Sequence, residues 1–269
     1  MDELSMVVGA VLSQTTGVGL KVVGTPIEAH RKAWENRIVA RIERTRAAAD
    51  RADGVRPLAV SDRVAYKALT EAAFNDDELT ADYLGGVVAA SGPDDDDGVP
   101  MVALISRLSS RQLLFHYLGY QALRAAASDS SLGAPVPPFH EPDKLPPRLR
   151  VGVSAETLVA LSGLGGAQVD PPVLTSLTRQ LISEDLIESD IEIEALREFD
   201  PDVAATITFR PTVLGAELFV WGHGVPRQSA HANQIFNPAL SFELLADTPP
   251  AFRVDEVIPY KEPSYFVTG

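Results

Sequence analysis

The chain has 269 residues, 45% of them hydrophobic and 22% charged, with a formal net charge of −14 and no cysteine. That is enough apolar material for one large or two modest domains with a real core. It excludes disulfides, thiolate metal sites and cysteine nucleophiles, and its acidity opposes nucleic-acid phosphates and anionic lipid at long range.

The chain starts Met1-Asp2-Glu3, which is not the positively charged leader of a secretory signal. No stretch approaches the roughly 20 unbroken apolar residues of a membrane span. Both features predict a cytoplasmic protein, with a peripheral contact to the inner membrane as the variant. Residues 1–24 form an apolar, glycine-rich arm: Val7, Val8, Val11, Leu12 and Leu20 are interrupted by Gly9, Gly17 and Gly19. One reading packs the arm on the body. The other inserts residues 4–24 at a membrane surface or a protomer contact.

Thr25-Pro26-Ile27-Glu28 is a helix start, with Thr25 as cap and Pro26 in the first turn. The helix is predicted to run to about Ala52. Trp34, Ile38 and Ile42 recur at the helical spacing, flanked by Arg37, Arg41 and Arg44. Such arginines lay their stems on apolar surface and hold the charge in water. Trp34, Arg37, Arg41 and Arg44 are therefore the candidate interaction surface.

From Ser61 to Ala126 the periodicity predicts four further amphipathic helices, which complete a bundle over residues 25–127. Ser61 starts the first, and Asn75-Asp76-Asp77-Glu78 places acidic groups at the next helix start. Gly85-Gly86 within that helix is costly unless a neighbouring backbone comes close. Asp94 to Asp97 form a loop of four adjacent carboxylates. If Gly98 were the glycine of a calcium loop, Pro93 and Leu104 would fall at coordinating positions, and neither can coordinate. Ser109-Ser110-Arg111-Gln112 caps the last helix, where Leu114, Tyr117, Leu118 and Ala122 are predicted to point inward.

Residues 128–150 carry Pro135, Pro137, Pro138, Pro142, Pro146 and Pro147, which forbid helix and sheet ladders and predict an extended linker. Residues 151–225 then read as helix (Ser154 to Ser162), helix (from Asp170-Pro171), strand (Ile191 and Ile193), strand (Ala205 to Phe209) and helix (Thr212 to Trp221). That order is winged-helix-like. Residues 226–269 are an irregular tail punctuated by proline, with Phe242 and Phe252 in short pieces that could pack back as strands. The predicted fold is mainly α: an N-terminal helical bundle followed by a small winged-helix-like α+β module.

No catalytic constellation emerges. Ser154 lacks the second glycine of a nucleophile elbow. His30, His116, His140, His223 and His231 include no i, i+4 pair spanning a carboxylate. Gly163-Leu164-Gly165-Gly166 has no downstream Lys-Ser/Thr pair and reads as a turn. The helix that would read DNA carries only Arg179 as a base and runs into Glu184, Asp185, Glu188 and Asp190. An acidic wing opposes the phosphate contacts that supply most nucleic-acid affinity.

Trp34-Glu35-Asn36-Arg37, the run Ala68-Leu69-Thr70-Glu71-Ala72-Ala73, Tyr83-Leu84-Gly85-Gly86-Val87-Val88-Ala89-Ala90 and Thr212-Val213-Leu214-Gly215-Ala216-Glu217-Leu218-Phe219 together resemble the Abi-alpha (abortive infection alpha) family of bacterial proteins, also known as a domain of unknown function. The resemblance spans roughly residues 25–224. The proline-rich linker replaces the polar wording that usually precedes the family's second part. The resemblance implies a role in phage defence by abortive infection. It supplies no catalytic residue, metal or cofactor, and none is assigned. The resulting expectation is a non-enzymatic protein that contacts itself, a phage or host protein, or the inner membrane. A DNA-binding regulator and a hydrolase with an unrecognised site are the alternatives.

Overall fold

The computed structural model describes residues 32–33, 35–44, 60–72, 77–128, 151–154, 171–188, 206–225, 231–237 and 257–258. The arm at 4–24, Trp34, the proline-rich stretch and the pieces around Phe242 and Phe252 lie outside these residues. The described part is mostly helical. Residues 35–44 form α1, followed by α2 (Asp62–Ala72), α3 (Glu78–Ala90), α4 (Gly98–Arg107) and α5 (Ser110–Ser128). Then come β1 (Val151–Ser154), α6 (Pro171–Ser183), β2 (Ile187–Glu188), β3 (Thr206–Pro211), α7 (Val213–Gly222), a 3₁₀ turn (His231–Phe236) and β4 (Val257–Ile258).

Local chemistry sets the helix starts. Asp77 caps α3, its carboxylate accepting from the Thr80 amide at 2.8 Å. Ser109 and Gln112 form a reciprocal capping box on α5: Ser109 Oγ accepts from the Gln112 amide, and Gln112 Oε1 accepts from the Ser109 amide. Thr212 caps α7, accepting from the Gly215 amide at 3.0 Å. The ends of α6 and α7 share one motif. The Leu186 amide reaches back to the Leu181 carbonyl and the Asp185 amide to Ile182, with Asp185 at φ 57°. Val225 and Gly224 repeat that pattern on Val220 and Trp221, with Gly224 at φ 78°. Asp185 takes the left-handed position usually given to glycine, so the sequence carries no glycine to announce that stop.

The strands form a small antiparallel sheet in the order β2-β3-β1-β4. Val151 pairs with Phe209 and Ser154 with Thr206, while Ile187 pairs with Pro211. Val151–Ser154 is thus a strand that sequence pattern did not announce, paired with Thr206–Phe209, and the helix expected from Ser154 to Ser162 lies, beyond Ser154, outside the described residues. The expected strand at Ile191 and Ile193 lies outside the described residues, and the first strand seen after α6 is Ile187–Glu188.

Residues from both sides of the proline-rich stretch share one hydrophobic cluster. Val64, Leu84, Val87, Ile105 and Leu113 from the front belong to it together with Leu181, Leu186, Phe219 and Trp221 from the back. Helix α5 is buried on most of its circumference, with Leu113, Phe115, His116, Tyr120 and Leu123 all inside. It contacts α3 from the front part and β1, α6 and α7 from the back part. The inward face is therefore broader than the predicted stripe, and Leu114 is only partly buried.

Helix α7 crosses α3 at two glycines. A Cβ on Gly86 would lie 1.9 Å from the Gly222 carbonyl oxygen, and one on Gly222 would lie 2.4 Å from the Tyr83 ring. This supplies the close approach that the Gly85-Gly86 pair required. A G86A chain is expected to lose about 3 kcal/mol or more of stability in chemical denaturation, because the helices must separate to admit one methyl group. G92A, whose Cβ would meet nothing nearer than 4.0 Å, is expected to stay within about 0.5 kcal/mol of the parent.

Candidate functional site

The candidate arginines lie on α1, which packs against α3. Ile38 and Ile42 enter the core, and a Cβ on Gly85 would stand 2.8 Å from Arg41 Cβ and 3.2 Å from the Ile38 carbonyl oxygen. Gly85 is the notch that lets the arginine stem lie against α3. The arginines then diverge. Arg37 makes a two-point ion pair with Glu78 at the exposed rim. Arg44 is exposed at the end of the described helix. Arg41 turns inward and is only 6% exposed. The expectation that all three heads reach water therefore fails at Arg41, because its stem is trapped between α1 and the Gly85 notch.

Asp82 on α3, 5% exposed, is the counter-charge. Burial pulls the Arg41 guanidinium below its ordinary value, and Asp82 opposes that shift. Burial likewise pushes the Asp82 carboxyl up, and Arg41 opposes that shift, with smaller help from Arg37 and Arg44. Yet Arg41 Nε and Asp82 Oδ1 have no hydrogen-bond partner among the described residues. Leaving a buried polar group unmatched costs about 1–3 kcal/mol, and more when it is charged. The sequence reading passed over Asp82. The signal was a single carboxylate between Ala81 and Tyr83 in an apolar run, opposite a helix with an arginine stripe.

Behind this pair lies a cluster of buried rings from α3, α5 and α7. His116 Nε2 lies 2.9 Å from the Gly215 carbonyl oxygen, and its Nδ1 lies 3.2 Å from Tyr83 Oη. A carbonyl can only accept, so Nε2 carries the proton and Tyr83 donates to Nδ1. His223 Nδ1 donates to the Phe219 carbonyl at 2.6 Å, and its ring lies 4.3 Å from the Phe219 ring. Tyr120 Oη accepts from the Thr212 amide at 2.9 Å and donates to the Leu186 carbonyl at 2.7 Å. A Cβ on Gly215 would fall 2.0 Å from that hydroxyl. Tyr120 thus ties α5 to the end of α6 and the start of α7 in a single hydroxyl.

The hydrogen-bonding capacity of His116 is spent on Tyr83 and the Gly215 carbonyl, and that of the Tyr120 hydroxyl on backbone, which is the arrangement of a structural core. Among the described residues no group of three His, Asp or Glu side chains is placed to hold a metal ion. In the acidic loop, Asp96 receives Arg63 at 2.7 Å and Ser61 at 3.4 Å, and Asp95 accepts from the Asp97 amide at 2.8 Å. No helix among the described residues is long and apolar enough to cross a membrane. No known protein family, no curated protein and no solved structure matches the chain.

The buried imidazoles link folding to pH. Burial lowers His116 to about 4, against the bond to Gly215 that raises it, and lowers His223 to about 3. In the unfolded chain both take up a proton as pH falls through about 6.5. The unfolded state then binds more protons than the folded one, so stability present above pH 6.5 is lost on acidification. For His116 alone the loss approaches about 3 kcal/mol by pH 4. The raised Asp82 carboxyl acts in the opposite sense. Denaturant titrations from pH 7 to pH 4.5 are expected to show a falling midpoint, with a shallower fall in H116Q.

Proposed function

We propose that this chain is a bacterial phage-defence protein of the abortive-infection type that acts by binding, to protein or to membrane, rather than by bond chemistry. One observation carries the reading. Two segments of the Abi-alpha resemblance, Tyr83 to Ala90 and Thr212 to Phe219, lie on helices that pack on each other through Gly86 and Gly222 and are joined by the Tyr83–His116–Gly215 hydrogen bonds. The two stretches, more than a hundred residues apart in sequence, form one packing unit. Its glycines and polar groups are committed to holding helices together, which leaves action to the surfaces.

A second reading takes its support from the strand order. The order helix α6, β2, β3, with β1 beside β3, supports the winged-helix-like reading, in which α6 would be the reading helix. The charge of that helix argues for protein rather than DNA as its partner. Arg179 is the basic residue of α6, and the helix leads into Glu184, which takes a two-point ion pair from Arg107, and Asp185.

Cells expressing the chain and challenged with a panel of phages are expected to plate phage at least tenfold less efficiently than empty-vector cells, with infected cells dying before release. Equal plating and equal survival across the panel reject the proposal. Removing residues 4–24 separates its two forms: protection that survives the deletion unchanged excludes membrane contact through that arm. A gel shift at about 50 mM salt, where phosphate contacts are strongest, is expected to show no retardation of duplex DNA. Retardation would favour the regulator instead.

A further inference from the structure

The place where the described fold is least well matched is the contact of α1 with α3. Its centre holds two charged side chains, Arg41 and Asp82, each about nineteen-twentieths buried, and each with a buried atom that meets no hydrogen-bond partner among the described residues. Its rim is held by the Arg37–Glu78 ion pair, which is exposed to water and sensitive to salt. Its apolar anchors are Ile38 and Ile42. The α3–α7 contact is the contrast: backbone against backbone, with Tyr83 and His116 satisfied.

We propose that α1 is a releasable strap, docked on α3 by a charge latch and able to leave while the α3–α5–α7 core stays folded. Undocking returns Arg41 and Asp82 to water, so these two buried charges gain solvation in the open state, which offsets part of the loss of Ile38 and Ile42 burial. An apolar pair at the same positions would give the strap no such release. Opening would carry the arginine stripe at 37, 41 and 44 away from the Glu78 and Asp82 carboxylates, and in sequence α1 follows the apolar arm at residues 1–24. The inference concerns the purified chain and stands apart from the phage-defence reading.

Native-state hydrogen exchange followed by mass spectrometry tests it. In the parent chain, amides of residues 38–42 are expected to open at least tenfold more often than those of residues 102–105 in α4. In R41M/D82L, which replaces the latch by apolar side chains of similar length, opening of 38–42 is expected to fall at least tenfold, with α4 unchanged. Equal protection of the two segments in the parent overturns the proposal. So does a folded double variant whose α1 opens as often as before. Should the double variant fail to fold, E78Q serves instead: loss of the rim pair is expected to raise α1 opening several-fold without moving α4, and no change there counts against the strap.

Discussion

The fold depends on one close crossing, that of α3 and α7 at Gly86 and Gly222. There the two backbones approach to a distance at which no side-chain carbon fits. Close packing of this kind is specific because interiors are filled to near-crystalline density and one extra methyl group is felt. It also decides what surrounds it. Tyr83 lies over Gly222, His116 spans from Tyr83 to Gly215, and Tyr120 fastens the start of α7 to the end of α6. The His116 and Tyr120 bonds reach backbone groups, the Gly215 and Leu186 carbonyls and the Thr212 amide, inside the core.

This crossing also makes the division at the proline-rich stretch one of sequence rather than of packing. The prolines between 135 and 147 do interrupt regular structure by their chemistry. The helix that follows the sheet nevertheless returns to the front bundle and buries Phe219 and Trp221 in the common core. Helix α5 lies between them, with His116 meeting the Tyr83 side chain in front and the Gly215 carbonyl behind, and Tyr120 meeting the Leu186 and Thr212 backbone. The Arg41–Asp82 pair is a different kind of contact, held by charge in a place where charge is costly.

Much of the helical architecture was legible because it rests on local rules. The caps at Asp77 and Ser109, the helix start at Thr212 and the need for a close approach at Gly85-Gly86 all follow from residues within a turn of one another. What was not legible came from long-range partners. Val151–Ser154 is a strand because Thr206–Phe209 lies beside it, and nothing in Val-Gly-Val-Ser announces that neighbour. The stop at Asp185 lacks the glycine that would mark it. Of the candidate site, the arginine stripe could be read from spacing, whereas the inward turn of Arg41 and its opposition to Asp82 could not. Helical periodicity tells which side of α1 faces the body, but not what the body presents there. The winged-helix-like order and the defence role rest on pattern and resemblance, and the surfaces that would carry them are where experiment must look.

The central claim is that front and back share one cooperative core, and denaturation followed by two probes tests it most directly. In a chain carrying Trp34→Phe, the fluorescence of Trp221 reports on α7 alone, while far-ultraviolet circular dichroism is dominated by the helices of the bundle. Coincident midpoints and slopes are predicted for the two signals. A Trp221 transition completed at lower denaturant, while most of the helical signal persists, would contradict the account and show that α7 only leans on a bundle that is stable without it.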